Sequence, residues 1–97
     1  MKDIRTRQYR VIGTITVNGK IYYKNNDGTF YTGWKEELGK WYYFDPATLA
    51  LVMHELRDIN GKVYYFRPDG VMACDETFTI SGIKIHADKD GGCSIVE

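Results

Sequence analysis

The residues of this chain best equipped for chemistry are its aromatics, gathered into short runs: Trp41-Tyr42-Tyr43-Phe44, Val63-Tyr64-Tyr65-Phe66 and Ile21-Tyr22-Tyr23. In an extended segment side chains alternate faces, so Trp41 and Tyr43 point one way and Tyr42 and Phe44 the other. One face must pack, and the other can stay partly open between neighbouring segments as an aromatic box. Such a box suits two ligand classes. Quaternary ammonium groups are held by cation–π attraction, most strongly on Trp, and sugar rings stack their C–H faces on the same surfaces. Both are binding chemistries. No nucleophile–base motif or phosphate loop accompanies the rings. His54 and His86 stand without an obvious partner, and Glu36, Glu37, Glu55 and Glu76 read as solvent-facing connector residues. Asp88-Lys89-Asp90-Gly91-Gly92 opens like a calcium loop but lacks the later acidic ligand, so it reads as a turn. The expectation is a chain that is not an enzyme and carries neither metal nor cofactor.

The rings belong to a repeat. Asn18-Gly19-Lys20-Ile21-Tyr22-Tyr23 returns as Gly39-Lys40-Trp41-Tyr42-Tyr43-Phe44, as Asn60-Gly61-Lys62-Val63-Tyr64-Tyr65-Phe66 and, faintly, as Ser81-Gly82-Ile83-Lys84-Ile85-His86. The glycines are spaced by 20, 22 and 21 residues, and a period of this size marks an array of stacked supersecondary units. Segments 21–24, 41–44, 63–66 and 83–87 are rich in β-branched and aromatic residues and predict strands. Each is followed by a turn, with Asp-Gly pairs at Asp27-Gly28, Asp69-Gly70 and Asp90-Gly91 and Leu49 in the corresponding place of the second unit. A short return strand follows, marked by Phe30, Leu51, Met72 and Cys93, and a loose connector leads to the next glycine. Residues 47–56 have helical propensity, but their register in the repeat predicts turn plus return strand. The fold expected is all-β, a β-solenoid of about four stacked hairpins of roughly 21 residues each. Residues 1–97 form one repeat domain: a half-repeat at 11–19, repeats at 19–38, 39–60 and 61–81, and a degenerate cap at 82–97.

Bulk properties narrow the partners. Thirteen basic and 13 acidic residues in 97 balance, which argues against nucleic acid. The basic cluster Lys2, Arg5, Arg7 and Arg10 reads as a solvated arm, with a docking patch as the alternative. No apolar run is long enough to insert in a membrane, and Met1-Lys2-Asp3-Ile4-Arg5 is too polar for a signal peptide. Cys74 and Cys93 occupy non-equivalent places in adjacent repeats, which favours buried free thiols over a bridge.

Gly33-Trp34 followed by Gly39-Lys40-Trp41-Tyr42-Tyr43-Phe44-Asp45-Pro46, and the run from Ile59 through Asn60-Gly61 to Gly70-Val71-Met72, resemble cell-wall-binding repeats of the choline-binding type. That family includes modules of phage and streptococcal lytic enzymes, clostridial toxins and glucan-binding proteins. The resemblance covers residues 11–80 well and 81–97 poorly. It implies a hairpin solenoid that anchors a lytic enzyme, toxin or phage protein to a glycopolymer of a bacterial envelope. It also implies a ligand site between consecutive hairpins, lined here by Trp34, Trp41, Tyr65 and Met72, with Tyr64 in place of Tyr65 if the strand faces the other way. At the other junctions Thr14, Leu56 and Thr77 stand where Trp34 does, and Ile21 and Val63 where Trp41 does. Trp34 and Trp41 are equally readable as packing residues. The ligand is a choline-type group or a sugar, and the location extracellular or at the bacterial surface, within a larger or lysis-released protein. The alternatives are a structural or oligomerisation module, with homodimers through the solenoid ends, and a repeat that binds a protein partner and keeps vestigial ligand sites.

Overall fold

Four two-residue turns organise the chain, as a computed structural model describing residues 13–97 makes plain. Asn18-Gly19, Leu38-Gly39, Asn60-Gly61 and Ser81-Gly82 each have positive φ at both positions. This type I′ geometry matches the twist of the strands it joins. Asn tolerates the left-handed region because its short polar side chain can bond locally; Leu38, at φ 53, has no such compensation. The strands joined are β1 (Gly13–Val17) with β2 (Lys20–Lys24), β3 (Gly33–Glu37) with β4 (Lys40–Phe44), β5 (Glu55–Ile59) with β6 (Lys62–Phe66), and β7 (Glu76–Ile80) with β8 (Ile83–Ala87). A ninth strand, β9 (Cys93–Ile95), adds to β8, so the last sheet has three strands. The arm residues Lys2, Arg5, Arg7 and Arg10, and positions 11–12 of the half-repeat, lie outside the described residues.

The solenoid of hairpins stands, but its pairing differs from the expected one. The segments read as loose connectors are full strands, and the repeat glycine is the hairpin tip. The expected return strands shrink to single bridges, Lys24 with Phe30, Phe44 with Leu51 and Phe66 with Met72; a return strand forms only at β9. Sequences such as Glu55-Leu56-Arg57-Asp58-Ile59 disguise a strand because charged residues fall on both of its faces. His54 and Asp75, with φ of 58 and 56, put the left-handed residue just before β5 and β7, one place earlier in the pairing than Gly13 and Gly33. His54 thus occupies a left-handed backbone position.

Stacking uses two devices. The Leu51 N–H donates to the Ile21 carbonyl at 2.7 Å, and the Met72 N–H to the Trp41 carbonyl at 2.8 Å, so each bridge residue ties its unit to the preceding strand. Next, the turn glycines Gly70 and Gly91 pack on the bridge residue of the unit before. A Cβ on Gly70 would lie 2.5 Å from Leu51 Cδ2, and one on Gly91 2.4 Å from Met72 Sδ. Between the second and third hairpins lies the core: Val52, Ile59, Phe66 and Met72, with Trp34, Tyr43 and Tyr64 against them. Phe66 is fully buried, a burial that contributes about 2–3 kcal/mol.

Candidate functional site

Strand alternation sets the walls of the gap between the second and third hairpins. In β3 and β4, Trp34 pairs with Tyr43 and Glu36 with Trp41, so Trp34, Trp41 and Tyr43 share the face turned to the third hairpin. The indoles of Trp34 and Trp41 are 6.2 Å apart and inclined at 81°. From β6, Tyr64 meets Trp34 edge-on at 4.9 Å, and Phe66 lies behind it at 5.7 Å. Trp34 therefore packs on the core with one side and walls an open hollow with the other. The hollow, about 480 Å³, is lined by Trp34, Trp41, Tyr64, Met72, Cys74 and the turn residues Lys89 and Asp90. Trp41 is 42% exposed, so its ring is available to a ligand.

Of the residues expected here, the structure brings together Trp34, Trp41 and Met72. Tyr65 is not among them: it pairs with Leu56 on the opposite face of β6 and packs on Phe78 at 5.0 Å. Tyr64 takes its place. A strand's two tyrosines look alike in sequence, and only the face on which the next hairpin meets Trp34 separates them. Cys74, Lys89 and Asp90 were not anticipated. The signal for Asp90 is its register, since Asp69, 21 residues earlier, lines the preceding junction in the same way. Cys74 is unpaired and exposed rather than buried; Cys93 is unpaired and half-buried, and burial pushes its thiol up.

The turn behind the hollow is held by its own carboxylate. Asp88 Oδ1 accepts from the Asp90 and Gly92 N–H groups at 2.8 and 2.9 Å. These bonds hold Asp88 below its ordinary pKa, as does nearby Lys62. The calcium-like run is thus a self-satisfied turn, and no metal-binding group of His, Cys, Asp and Glu occurs among the described residues. His86 Nδ1 lies 2.9 Å from Thr77 Oγ1 across its own hairpin.

The other junctions follow the same plan with different chemistry. The first, about 230 Å³, has Ile21 and Tyr23 opposite Tyr42 and Phe44, with Lys35, Glu37 and Asp69 around them. The third has a hollow of about 350 Å³ lined by Leu56, Val63, Ile83, Ile85 and Ile95, with no aromatic ring in its lining.

A helix-free stack of hairpins whose gaps carry aromatic walls is a solenoid binding scaffold. The family model of the cell wall binding repeat, of choline-binding type, matches residues 15–30, 32–46 and 56–72, and the chain belongs to that family. It is similar to Toxin A of Clostridium novyi, 33% identical over 91 residues that cover 92% of this chain and 4% of the toxin. The choline binding domain of Spr1274 from Streptococcus pneumoniae superimposes with a TM-score of 0.70 at 26% identity, over 84% of this chain and 99% of that domain. CbpJ of Streptococcus pneumoniae does so with a TM-score of 0.77 at 25% identity, over 87% of this chain and 28% of CbpJ. The chain thus spans a small part of the toxin it matches.

Proposed function

We propose that the chain is a non-catalytic binding module that anchors a larger protein to a bacterial cell-wall polymer. It does so by taking a quaternary ammonium group of choline type between Trp34, Trp41 and Tyr64. The observation that carries this reading is the angular arrangement of the rings. Trp34 stands at 81° to Trp41 and 71° to Tyr64, so ring surfaces border the hollow in several directions, whereas a sugar stacks flat on one ring. Met72 adds a polarizable group to the lining, and Asp90 a negative charge that stands beside the Lys89 ammonium. Family membership and the streptococcal choline binding domain support the same ligand class.

A cation–π contact contributes about 0.5–2 kcal/mol, so one such hollow binds weakly, on the order of millimolar. Useful anchoring then comes from several hollows in a longer parent protein. The Clostridium toxin similarity fits a parent that acts outside its cell, at the bacterial surface or beyond it. The test is co-sedimentation with purified choline-bearing cell walls. The module should pellet with them and be released by free choline, whereas pelleting that choline cannot reverse would defeat the choline reading.

A further inference from the structure

The junction before the tryptophan hollow holds a cation supplied by the protein itself. Tyr23, Tyr31 and Phe44 stand with ring centroids 6.0–6.2 Å apart and planes inclined at 66–86°, forming a three-ring corner. The Lys35 ammonium lies 4.3 Å from the centre of Tyr23 and 4.9 Å from that of Tyr31, within the ~6 Å reach of a cation–π contact. Its side chain is only 21% exposed, and the Glu37 carboxylate is 3.5 Å away. The Tyr31 hydroxyl donates to the Trp34 carbonyl and fixes that wall.

Comparing the units shows that this arrangement is particular to the first. Lys35, Arg57 and Phe78 hold the same register in β3, β5 and β7, opposite Tyr42, Tyr64 and Ile85. Arg57 is drawn to Asp45 at 2.7 Å and to Glu55 at 2.8 Å, and Phe78 lies against Tyr65. Tyr31, Val52 and Ala73 hold another shared place, each donating its N–H to the second tyrosine of its own unit. Among the described residues, a third ring and a facing lysine coincide at this junction alone.

We propose that Lys35 is a resident cation in an aromatic cage that would otherwise accept a quaternary ammonium ligand, and that it limits these hairpins to one external ligand, at the Trp34 hollow. The proposal rests on the function proposed above only for the class of ligand. A tethered group acts at an effective concentration of about millimolar or higher, which is enough to exclude a free ligand of millimolar affinity. Glu37 supplies the counter-charge that keeps the ammonium at the cage mouth.

The test is titration with tetramethylammonium followed by NMR of ring and lysine side-chain protons, on the wild type, Lys35→Ala and Lys35→Met. In the wild type the Lys35 ε-methylene should lie upfield of the exposed lysines through ring currents, and Tyr23→Leu should diminish that shift. Tetramethylammonium should move Tyr23 and Tyr31 in Lys35→Ala, adding a second bound equivalent, but not in the wild type or in Lys35→Met, whose neutral chain refills the cage. Silent Tyr23 and Tyr31 signals in folded Lys35→Ala would overturn the proposal, as would an unshifted Lys35 methylene. If Lys35→Ala does not fold, the methylene shift decides. A response at Tyr23 and Tyr31 in Lys35→Ala with none at Trp34 in any variant would refute the tryptophan site and leave the cage standing.

Discussion

Gly70→Ala tests how the units hold one another. Gly70 has φ +89, and a Cβ there would meet Leu51 Cδ2 at 2.5 Å and Cγ at 3.0 Å. Gly28 has nearly the same backbone, φ +91, with nothing within 4 Å. The left-handed conformation costs a side-chain-bearing residue about 1–2 kcal/mol, and that is the whole expected effect of Gly28→Ala. At Gly70 the overlap comes on top. Leu51 is 8% exposed and its Cγ cannot swing aside as a chain end can, so overpacking adds about 1–3 kcal/mol. Gly70→Ala should therefore lose about 2–5 kcal/mol in all. Urea unfolding followed by tryptophan fluorescence reads both variants, because Trp34 and Trp41 lie in the middle of the stack, and a lower midpoint at constant slope reports stability alone. A double-mutant cycle with Leu51→Ala should return a coupling on the order of 1–3 kcal/mol, since removing the leucine removes the overlap. Equal losses at Gly28 and Gly70, with no coupling to Leu51, would refute the claim that the turn of one unit is seated on the bridge residue of the previous one.

Three further outcomes are expected. Leu38→Asn should stabilise the chain by about 1 kcal/mol, because Leu38 is 99% exposed at a left-handed turn position where Asn18 and Asn60 serve the other hairpins; an unchanged or lower melting temperature would contradict this. Asp45 is held below its ordinary 3.8, chiefly by its hydrogen bond from Arg57. A depressed carboxylate contributes stability above its unfolded pKa and loses it as pH falls through the folded value. The stability gap between wild type and Arg57→Gln should therefore be full at neutral pH and close on acidification below 3.8, and a gap independent of pH in acid denaturation would argue against the pair. Trp41→Ala should keep the fold and weaken choline by about twofold to thirtyfold, the span of one lost cation–π contact; unchanged affinity in a Trp34 fluorescence titration would remove Trp41 from the site.

Much of this was legible because the repeat is written in residues with narrow backbone roles. The paired aromatics mark the strands after the repeat glycines, whereas Asn18-Gly19 and Asn60-Gly61 read only as repeat markers and turned out to be the hairpin tips. The partner strands were harder to see, since 33–37 and 55–59 carry charged residues on both faces and hold no tyrosine pair. Leu38 and Leu49 occupy left-handed positions that a leucine does not advertise. At the candidate site, Trp34, Trp41 and Met72 followed from the resemblance to cell-wall-binding repeats, and the structure sets them around one hollow. The choice between Tyr64 and Tyr65 depends on which face of β6 the neighbouring hairpin meets, a relation between units that no single repeat encodes. Lys35 escaped notice for the same reason: its partners Tyr23 and Tyr31 belong to the previous hairpin and its return segment.

The central claim is that the hollow between the second and third hairpins is the ligand site. A crystal structure of the chain grown with choline tests it most directly. The account predicts a trimethylammonium group between Trp34, Trp41 and Tyr64, with Met72 and Asp90 beside it and Tyr65 still packed on Phe78. Choline in the aliphatic groove of Leu56, Val63 and Ile85, or an empty Trp34 hollow at saturating choline, would contradict it.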